Sequence, residues 1–233
     1  MPSTTRAVED YLKTIYSLCA EGERASTTRI AEALQVAPAS VTGMLRKLAE
    51  MEPPLVVYHK HRGATLTPEG ERAAIEIVRH HRLLETFLHD VLGYAWDEVH
   101  EEADRLEHVI SETFEERIAE VLGNPARDPH GDPIPSRDLE VPPRTLTRLA
   151  DLRPPQCAVV VRVNDADPAL LRHLGEYGLL PQTRFTVVRY TPYDETISLR
   201  VEDASEMIVL GPRTTRQVFV RVESGLQTTD GGR

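Results

Sequence analysis

Residues 81–108 read HRLLETFLHDVLGYAWDEVHEEADRLEH, and the spacing of the imidazole and carboxylate groups in this stretch is the first guide to the fold. His81 and Glu85 are four residues apart. A second set follows at offsets of zero, four, seven and eight, namely His100, Asp104, Glu107 and His108. Such offsets fall on one stripe of an α-helix. The stretch therefore predicts two adjacent helices, each with these side chains along one face.

A stripe of imidazoles and carboxylates makes a poor hydrophobic core. These groups repel one another or stay hydrated unless a cation lies among them. Histidine nitrogen and carboxylate oxygen are the usual ligands of intermediate first-row divalent ions, so the stripe indicates a metal site. The alternative is that these residues are the solvated face of an acidic helix, which is the more ordinary explanation for any one of them.

The composition of the 233-residue chain is that of a globular protein with one to three domains. We find no apolar run near the roughly 18 residues that a membrane span needs, and no pattern typical of a signal peptide. The two cysteines, Cys19 and Cys157, are far apart and suggest no disulfide framework. We therefore expect a cytoplasmic protein.

The charge is distributed unevenly along the chain. The net charge is −10, which is not typical of a nucleic-acid-binding protein, but residues 1–70 contain eight basic and eight acidic residues and are neutral. The remainder carries the whole negative charge. A neutral N-terminal part beside an acidic, metal-attracting body is consistent with an N-terminal part that approaches phosphate.

The N-terminal part predicts three helices, over residues 7–20, over residues 26–34 with Ser26 or Thr27 as N-cap, and from Pro38 onwards. The third helix would bury Val41, Leu45 and Leu48. The side chains on its outer face are small or carry a hydroxyl group in the first turns and are basic further on: Ala39, Ser40, Thr42, Gly43 and Arg46. This composition suits a helix whose N-terminal half enters a DNA major groove.

The following segment, LVVYHKHRGATLT at residues 55–67, has two β-rich runs around a basic turn. It predicts a hairpin wing with Lys60 and Arg62 placed for phosphate or minor-groove contacts. Three helices and a wing make a winged helix-turn-helix. Thr27 and Thr28, at the start of the second helix, are further candidate DNA contacts. A three-helix module that does not bind DNA is the alternative.

Two long helices are predicted next. One is capped by Thr67, starts at Pro68 and runs to about residue 92, and the other covers about residues 98–122. Their combined apolar surface is too large to be buried on a small wing domain. We therefore expect a C2 homodimer, which also suits palindromic half-sites about one helical turn apart on DNA.

The C-terminal half changes character. Eight of the 17 prolines lie in residues 124–155, which predicts an extended connection, and residues 156–223 contain five strand-like runs and one short helix, typical of a small SH3-like barrel. The predicted fold is mainly α with a small β domain. We expect a winged helix-turn-helix domain at 1–66, a helical dimerisation and metal-binding domain with a proline-rich linker at 67–143, an SH3-like domain at 144–225 and a disordered tail at 226–233.

Several segments together resemble the diphtheria-toxin-repressor family of metal-dependent transcriptional regulators in its three-domain form. They are VEDYLKTIY at 8–16, VAPASVTGMLRKL at 36–48, the histidine and carboxylate pattern of 81–108, and PHGDPIP at 129–135. The resemblance covers nearly the whole chain, with these segments in the order and spacing of the family. It implies a cytoplasmic repressor of metal homeostasis whose C-terminal barrel resembles the iron-transport-associated SH3-like domain of longer members.

The resemblance also implies two metal positions per subunit. The primary position would use Asp10, Asp104, Glu107 and His108. The ancillary position would use His81, Glu85 and His100, completed from the barrel by Asp167, which we favour, or by Asp165. Each of these two aspartates is equally compatible with a simpler role as the N-cap of a helix before Pro168.

Departures from the family pattern bear on the metal. Iron-sensing members resemble this chain but have methionine at the position of Asp10 and cysteine at that of Asp104. Hard oxygen donors suit Mn(II) better than thioether or thiolate ligands do, so we expect Mn(II) first and Fe(II) as the alternative, with two ions per subunit. Lys13 stands where short manganese-sensing members have a carboxylate, which speaks against their binuclear arrangement.

The expected partners are double-stranded operator DNA and a second copy of the chain, with neither a membrane nor a small organic ligand. We expect metal-bound dimers to repress metal-uptake genes, with Asp10 coupling the metal to the DNA-binding domain, and we expect no enzymatic activity. Two alternatives belong to other classes. HEEAD at 100–104 resembles a zinc-hydrolase helix with Glu101 as general base, and the barrel could instead sense a ligand without metal.

Overall fold

The computed structural model describes residues 5–19, 24–202 and 206–223, and the chain forms two compact units. The first unit comprises residues 1–84, 103–126 and 134–142. The second comprises residues 85–102, 127–133 and 143–233. Two helices continue from one unit into the other, so the units do not test the three predicted domain boundaries, which stay a prediction. The predicted disordered tail, residues 226–233, lies outside the described residues.

The winged helix-turn-helix lies in the first unit. Its elements are α1 (Arg6–Cys19), α2 (Thr27–Ala33), α3 (Pro38–Ala49), β1 (Val56–His59) and β2 (Gly63–Leu66). The Ser26 hydroxyl accepts the Arg29 N–H at 3.1 Å, which confirms the predicted N-cap of α2, and Pro38 opens α3. The strands β1 and β2 form an antiparallel hairpin, as predicted for the wing. The core of this part contains fully buried aliphatic side chains from all three helices: Leu12, Ile15, Ile30, Val41, Leu45 and Leu48.

The next helix, α4 (Pro68–Asp90), also begins as predicted. The Thr67 hydroxyl accepts the Gly70 N–H at 3.1 Å and donates to the Pro54 carbonyl at 2.7 Å, so this one side chain caps α4 and ties it to the preceding loop. The single helix predicted for residues 98–122 is wrong. The chain forms α5 (Val99–Leu106) and α6 (Glu112–Val121) instead. The Ser111 hydroxyl accepts the Phe114 N–H at 3.3 Å, and this side-chain cap starts a new helix where the apolar pattern alone suggested continuity.

Buried charged groups join α6 to α4 within the first unit. The Arg79 guanidinium donates to the Glu115 carboxylate and also to the Pro135 carbonyl at 2.6 Å, and His80 Nε2 lies 2.8 Å from Glu115 Oε2. By contrast, large apolar side chains of this region lie at the surface: Val109, Phe114 and Val121. Exposed apolar side chains of this size suit a dimerisation surface.

The second unit contains a five-stranded antiparallel sheet in the order β6-β5-β4-β3-β7. Its strands are β3 (Cys157–Val163), β4 (Arg184–Thr191), β5 (Thr196–Val201), β6 (Met207–Leu210) and β7 (Val218–Val222). A 3₁₀ turn at Leu149–Asp151 precedes the sheet, and two short helices, α7 (Pro168–Glu176) and α8 (Pro212–Thr215), interrupt it. This is the predicted SH3-like domain. Buried side chains alternate along β5 and β6, whereas β3 and β7 have runs of consecutive buried residues, and all of these strands contribute to one core.

Residues 128–132 form a tight turn against β3 in the second unit. Gly131 has a φ angle of 91°, and a Cβ atom there would lie 2.0 Å from the Val161 carbonyl oxygen, so only glycine fits. The His130 carbonyl accepts the Val163 N–H at 2.9 Å. Residues 130 and 131 of the PHGDPIP segment thus lie against the sheet. In the part of the chain that the structure describes, no helix has the length and apolar character needed to cross a membrane.

Candidate metal centres and DNA-binding surface

Three of the four residues predicted for the primary metal position come together in the first unit. Asp10 lies on α1, and Glu107 and His108 follow α5 directly. His108 Nε2 lies 2.9 Å from Asp10 Oδ1 and 3.4 Å from Glu107 Oε1. These three side chains, which we call the first cluster, bring ligand atoms within 4.8 Å of one another. Two carboxylates and an imidazole at this separation are a donor set that fits a divalent ion.

Glu9 orients the imidazole of the first cluster. His108 Nδ1 lies 2.6 Å from Glu9 Oε2, so Nδ1 carries a proton and donates it to this carboxylate. In the neutral ring Nε2 is then an acceptor, and it faces the oxygens of Asp10 and Glu107. A histidine that ligates a metal is usually held by a carboxylate in this way. The sequence interpretation missed Glu9, although its position beside Asp10 in VEDYL was the available signal.

A second grouping, the lysine cluster, contains Lys13, His81, Asp104 and Glu107. Lys13 Nζ donates to Asp104 Oδ1 and to Glu107 Oε2, both at 2.7 Å, and lies 2.8 Å from His81 Nδ1. His81 Nδ1 in turn lies 2.6 Å from Glu107 Oε2. Asp104, predicted to act beside Asp10, is therefore placed beside an ammonium group. His81, predicted for the ancillary position, contacts Glu107, which belongs to both clusters.

The charges of these clusters are reflected in their pKa values. Burial alone would raise the pKa of Glu107, but the His81 hydrogen bond and the Lys13 charge hold it below its usual range. Burial would lower the pKa of Lys13, but Glu107 and Asp104 raise it. The pKa of Asp10 is raised by burial, which His108 and Arg6 offset only in part. The charge of Asp10 is thus only partly compensated by its neighbours, so an added cation would stabilise its ionised form.

The second unit holds another candidate metal site, the second cluster, made of Glu85, His100 and Asp165. His100 Nδ1 lies 3.0 Å from Glu85 Oε1 and 3.6 Å from Asp165 Oδ2. Asp167, which the sequence interpretation favoured, instead caps α7: its Oδ1 accepts the N–H groups of Ala169 at 2.9 Å and of Leu170 at 3.4 Å. The orphan N–H groups of a helix start compete for this carboxylate, so Asp165 is the better candidate ligand.

His130 is a further imidazole in the second unit that the sequence interpretation did not consider as a site residue. It is fully buried, with Nε2 2.6 Å from the Trp96 carbonyl and Nδ1 3.7 Å from Glu85 Oε2. Burial alone would lower the pKa of His130, but Glu85, Asp165 and Asp128 raise it to about 10. Its only sequence signal is its place in the PHGDPIP segment.

The candidate DNA contacts lie on α2, α3 and the wing. Ala39, Ser40, Gly43 and Arg46 are exposed on α3, as are Thr28 on α2 and Lys60 and Arg62 in the wing turn, while Thr27 and Thr42 are half-buried. The Thr42 hydroxyl donates to the Pro38 carbonyl at 3.1 Å within α3. No atom lies within 4 Å of a Cβ built on Gly43, so packing among the described residues does not require glycine there.

Comparison with protein families covers most of the chain. Residues 3–64 match the N-terminal DNA-binding domain of iron-dependent repressors, and residues 67–136 match their metal-binding and dimerisation domain. Residues 147–222 match the FeoA domain. These assignments agree with the winged helix-turn-helix, with the exposed apolar side chains of the helical region and with the SH3-like sheet.

Individual relatives and structures show the same relationship. The chain is 40% identical over 192 residues to the iron-dependent repressor IdeR of Mycobacterium leprae, covering 77% of this chain and 82% of that protein. It is 40% identical over 139 residues to the diphtheria toxin repressor of Corynebacterium diphtheriae, covering 59% of this chain and 60% of that protein.

Among solved structures, a manganese-dependent transcriptional repressor in complex with manganese superposes with a TM-score of 0.84 at 40% identity, covering 91% of this chain and 98% of that one. The manganese regulator SloR superposes with a TM-score of 0.77 at 31% identity, covering 93% and 98%.

These relatives are regulators of transcription and not enzymes, so the hydrolase interpretation of residues 100–104 is wrong. His100 and Asp104 also serve different clusters, the first beside Glu85 and the second beside Lys13. The chain belongs to the diphtheria-toxin-repressor family of iron-dependent repressors, and it is a metal-dependent, DNA-binding transcriptional repressor.

Proposed function

We propose that this repressor responds to Mn(II) and that the first cluster is its activating metal site. The observation that carries the proposal is the convergence of Asp10 Oδ1, Glu107 Oε1 and His108 Nε2, with the imidazole oriented by Glu9. A divalent ion would supply the positive charge that draws these groups together. Asp104 would join them only after exchanging its contact with Lys13.

A second ion would be held by the second cluster. Glu85, His100 and Asp165 supply two carboxylates and an imidazole from one compact unit. The family resemblance adds His81 to this set, and within the first unit His81 Nδ1 lies 2.8 Å from Lys13 Nζ and 2.6 Å from Glu107 Oε2. We therefore assign Asp165 in preference to Asp167, and we expect two ions per subunit from these two clusters.

The choice of Mn(II) over Fe(II) rests on the donor atoms. The carboxylates and imidazoles of both clusters include no sulfur ligand, and such donors suit Mn(II). The relatives do not decide between Mn(II) and Fe(II), since the similar solved structures include a manganese-dependent repressor and the similar sequences include an iron-dependent one. An Fe(II)-dependent repressor of the same family is the alternative function.

Asp10 links the metal to the DNA-binding domain. It lies on α1, which packs in the core of the winged helix-turn-helix, whereas Glu107 and His108 follow α5. Without a cation, the carboxylates of Asp10 and Glu107 repel each other and favour a loose α1. Once a cation draws these groups together, α1 is fixed in place. Metal binding then raises the affinity for DNA, and DNA binding raises the affinity for metal by the same factor.

The proposed partners are operator DNA and a second copy of the chain. The exposed side chains of Val109, Phe114 and Val121 would be covered in a C2 dimer, which presents two α3 helices to palindromic half-sites. We infer a cytoplasmic location, because the operator is chromosomal. We also infer that the regulated genes encode metal-uptake proteins, because repression at high metal concentration would stop further uptake.

The test is fluorescence anisotropy of labelled DNA from the protein's own promoter region with metal-free protein, at fixed salt because phosphate contacts make affinity salt-dependent. The additions are Mn(II), anaerobic Fe(II), Zn(II) or EDTA. We expect tight binding with Mn(II) and weak binding with EDTA. Equal binding in all conditions would remove the metal switch, and tight binding with Fe(II) alone would favour the alternative.

The matched variants are Asp10→Ala and Asp194→Ala, the latter at an exposed carboxylate in the β4–β5 turn. Asp10→Ala should abolish the metal stimulation while sedimentation still shows a dimer, whereas Asp194→Ala should behave as wild type. If Asp10→Ala keeps full stimulation, the coupling through α1 is wrong even if the metal requirement itself stands.

A further inference from the structure

We propose that a cavity in the first unit binds a linear aliphatic polyamine, that is, a methylene chain with separated ammonium groups. The cavity has a volume of about 440 Å³, and all the residues that line it belong to the first unit. Its walls come from Glu9 of α1, from residues 51–55 between α3 and β1, from residues 68–80 of α4 and from residues 107–110 after α5. We call it the α4 cavity. The proposal goes beyond the proposed function, because it requires no metal ion.

The first argument is the size of the α4 cavity and the character of its walls. Cavities that bind small organic molecules have volumes of roughly 300–1,000 Å³ and mainly apolar walls. The apolar side chains here include Leu55 and Ile77, which are buried, and Met51, Ala73 and Ile110, which are half-buried. Such walls favour the burial of methylene groups. They belong both to the winged helix-turn-helix and to α4, so a ligand that touches both would hold the two together.

The second argument is the negative charge at the α4 cavity. Glu52, Glu69 and Glu76 line it, and their carboxylates make no hydrogen bond or ion pair with any residue that the structure describes. Burial is the largest cause of a raised pKa at Glu76, and the charge of His80 offsets it only in part. A ligand that brings positive charge would stabilise these carboxylates in their ionised form. The cavity therefore favours a cationic ligand over a neutral or an anionic one.

Two other acidic residues line the α4 cavity but already have partners. Glu9 Oε2 lies 2.6 Å from His108 Nδ1, and Glu107 Oε2 accepts a hydrogen bond from Lys13 Nζ at 2.7 Å. Both carboxylates support the clusters described above. We therefore do not count them among the contacts of the polyamine, which leaves the three carboxylates without partners as its recognition groups.

The third argument is the spacing of these carboxylates. In the described residues, no group of metal-ligand atoms that lie within 4.8 Å of one another contains Glu52, Glu69 or Glu76. Glu69 and Glu76 are seven residues apart on α4, which at roughly 1.5 Å per residue is about 10 Å along the helix axis. A single metal ion cannot bridge this distance. A chain with several ammonium groups can meet both carboxylates and place its methylene groups against the apolar walls.

Arg72 gives the proposal a test of sign. It lies between Glu69 and Glu76 on α4, lines the cavity, is exposed and makes no ion pair within the described part of the chain. Its guanidinium group would repel a polyamine and would attract an anionic ligand. Removing this charge should therefore tighten the binding of a polyamine, whereas it should weaken the binding of an anion.

The experiment is isothermal titration calorimetry of the full-length, metal-free protein at fixed salt. The probes are spermidine, a neutral diol and a dicarboxylate, the last two with carbon chains of similar length. Sedimentation gives the oligomeric state, and circular dichroism verifies that each variant is folded. We expect one spermidine per chain, and binding of the diol and of the dicarboxylate that is weaker by roughly tenfold or more.

Three variants locate the charges that the polyamine meets. Glu76→Gln keeps the size of the side chain without its charge and should weaken spermidine binding about tenfold. Arg72→Gln should tighten it roughly twofold to fivefold. The matched control is Glu71→Gln, at an exposed glutamate of the same helix that does not line the cavity. This control should change the affinity by less than about twofold. If Glu76→Gln fails to fold, Glu69→Gln at the exposed end of α4 takes its place.

Four results would overturn the proposal. Equal binding of the diol and of spermidine would show an apolar cavity without recognition of charge. Tight binding of the dicarboxylate that is lost in Arg72→Gln would identify an anion site. A dimer that binds none of the probes would show that a second copy closes the cavity. Equal losses in Glu71→Gln and Glu76→Gln would reduce the effect to general attraction by the acidic surface. Because every measurement is made without metal, a failure of Mn(II) to activate DNA binding would sink the proposed function and leave this test intact.

Discussion

Lys13 Nζ lies 2.7 Å from Glu107 Oε2, while the other oxygen of the same carboxylate, Oε1, lies 3.4 Å from His108 Nε2. Glu107 therefore lies between the ammonium group of Lys13 and the imidazole of the first cluster. The ammonium group neutralises part of the carboxylate charge around Glu107 and Asp104 at all times. The first cluster, around Asp10, is not in contact with this ammonium group in the same way, because Lys13 Nζ donates to Asp104 and to the other oxygen of Glu107.

Replacing the ammonium group by a carboxylate should create an additional metal position. In Lys13→Glu, a third carboxylate joins Asp104, Glu107 and His81, and a divalent ion would then be required in place of the lysine charge. We expect one more Mn(II) per chain by equilibrium dialysis with elemental analysis. Lys13→Met removes the charge without supplying an oxygen ligand and should not raise the number of ions. Equal metal content in the Glu and Met variants would contradict this role of Lys13.

The carboxylate of Glu9 should matter for metal affinity although it is not a proposed ligand. It accepts the Nδ1 proton of His108 at 2.6 Å and so directs Nε2 toward Asp10. Loss of such a supporting partner typically weakens metal binding about 10- to 100-fold. Glu9→Ala should show a loss of this size in a competition titration with a chelator, and Glu9→Gln, which still accepts the proton, should recover part of it. An unchanged affinity in Glu9→Ala would show that His108 is oriented by other means.

Changing the donor atoms should change the preferred metal. The double substitution Asp10→Met and Asp104→Cys introduces a thioether and a thiolate, which suit Fe(II) better than Mn(II). We expect the ratio of the anaerobic Fe(II) to the Mn(II) concentration needed for half-maximal DNA binding to fall by about tenfold or more. Asp10→Asn with Asp104→Asn changes the charge but keeps oxygen donors, and should weaken both metals without this reversal. A ratio that stays constant would mean that ligand type does not set the selectivity.

Arg46 should contribute to operator binding without affecting the metal. It is exposed on α3, on the face that the winged helix-turn-helix presents outward. An arginine that contacts DNA contributes about 1–3 kcal/mol, so Arg46→Ala should weaken operator binding by roughly one to two orders of magnitude. Arg189→Ala, at an exposed arginine of β4, removes the same charge and should have little effect. If both variants lose equal affinity, the effect is one of net charge and not of α3.

The buried pair of His80 and Glu115 should make the metal-free protein less stable as the pH rises. Burial alone would lower the pKa of His80, but the hydrogen bond and charge of Glu115 raise it overall. A raised folded-state pKa stabilises the protein fully below the unfolded value of about 6.5, and this contribution is lost as the pH rises through the folded-state pKa. We expect the free energy of unfolding, measured with urea in EDTA, to fall more between pH 6 and pH 8.5 for wild type than for His80→Gln.

The stability that the His80–Glu115 pair contributes should also be lost at low pH. Burial raises the pKa of Glu115, but His80 and Arg79 outweigh it and lower the pKa overall. A lowered folded-state pKa contributes stability that is present above the unfolded value of about 4.3 and is lost as the pH falls through the folded-state pKa. The pair should therefore stabilise most between these two limits. If His80→Gln has the same pH dependence as wild type, other groups govern the stability of α6 on α4.

Much of the fold followed from local patterns. The cap at Ser26, the proline that opens α3, the five strand-like runs and the cap at Thr67 are all local features of a few neighbouring residues, so their effect can be read along the chain. The break between α5 and α6 was missed because apolar spacing continues through it, and only the Ser111 side chain marks a new start. The sequence did not separate Asp165 from Asp167, because both suit a helix cap before Pro168 equally well.

The sequence by itself determined the type of each element, the winged helix-turn-helix and SH3-like architecture, and the residue types available to hold a metal. Tertiary structure alone decided which of these residues meet. Lys13 reaches Asp104 and Glu107, Glu9 reaches His108, and His130 reaches Glu85, although each pair is separated by more than 40 residues. Periodicity reports only which side of its own helix a side chain occupies. The partner on the other side depends on how the helices and the 128–132 turn pack, and packing is a property of the whole folded chain.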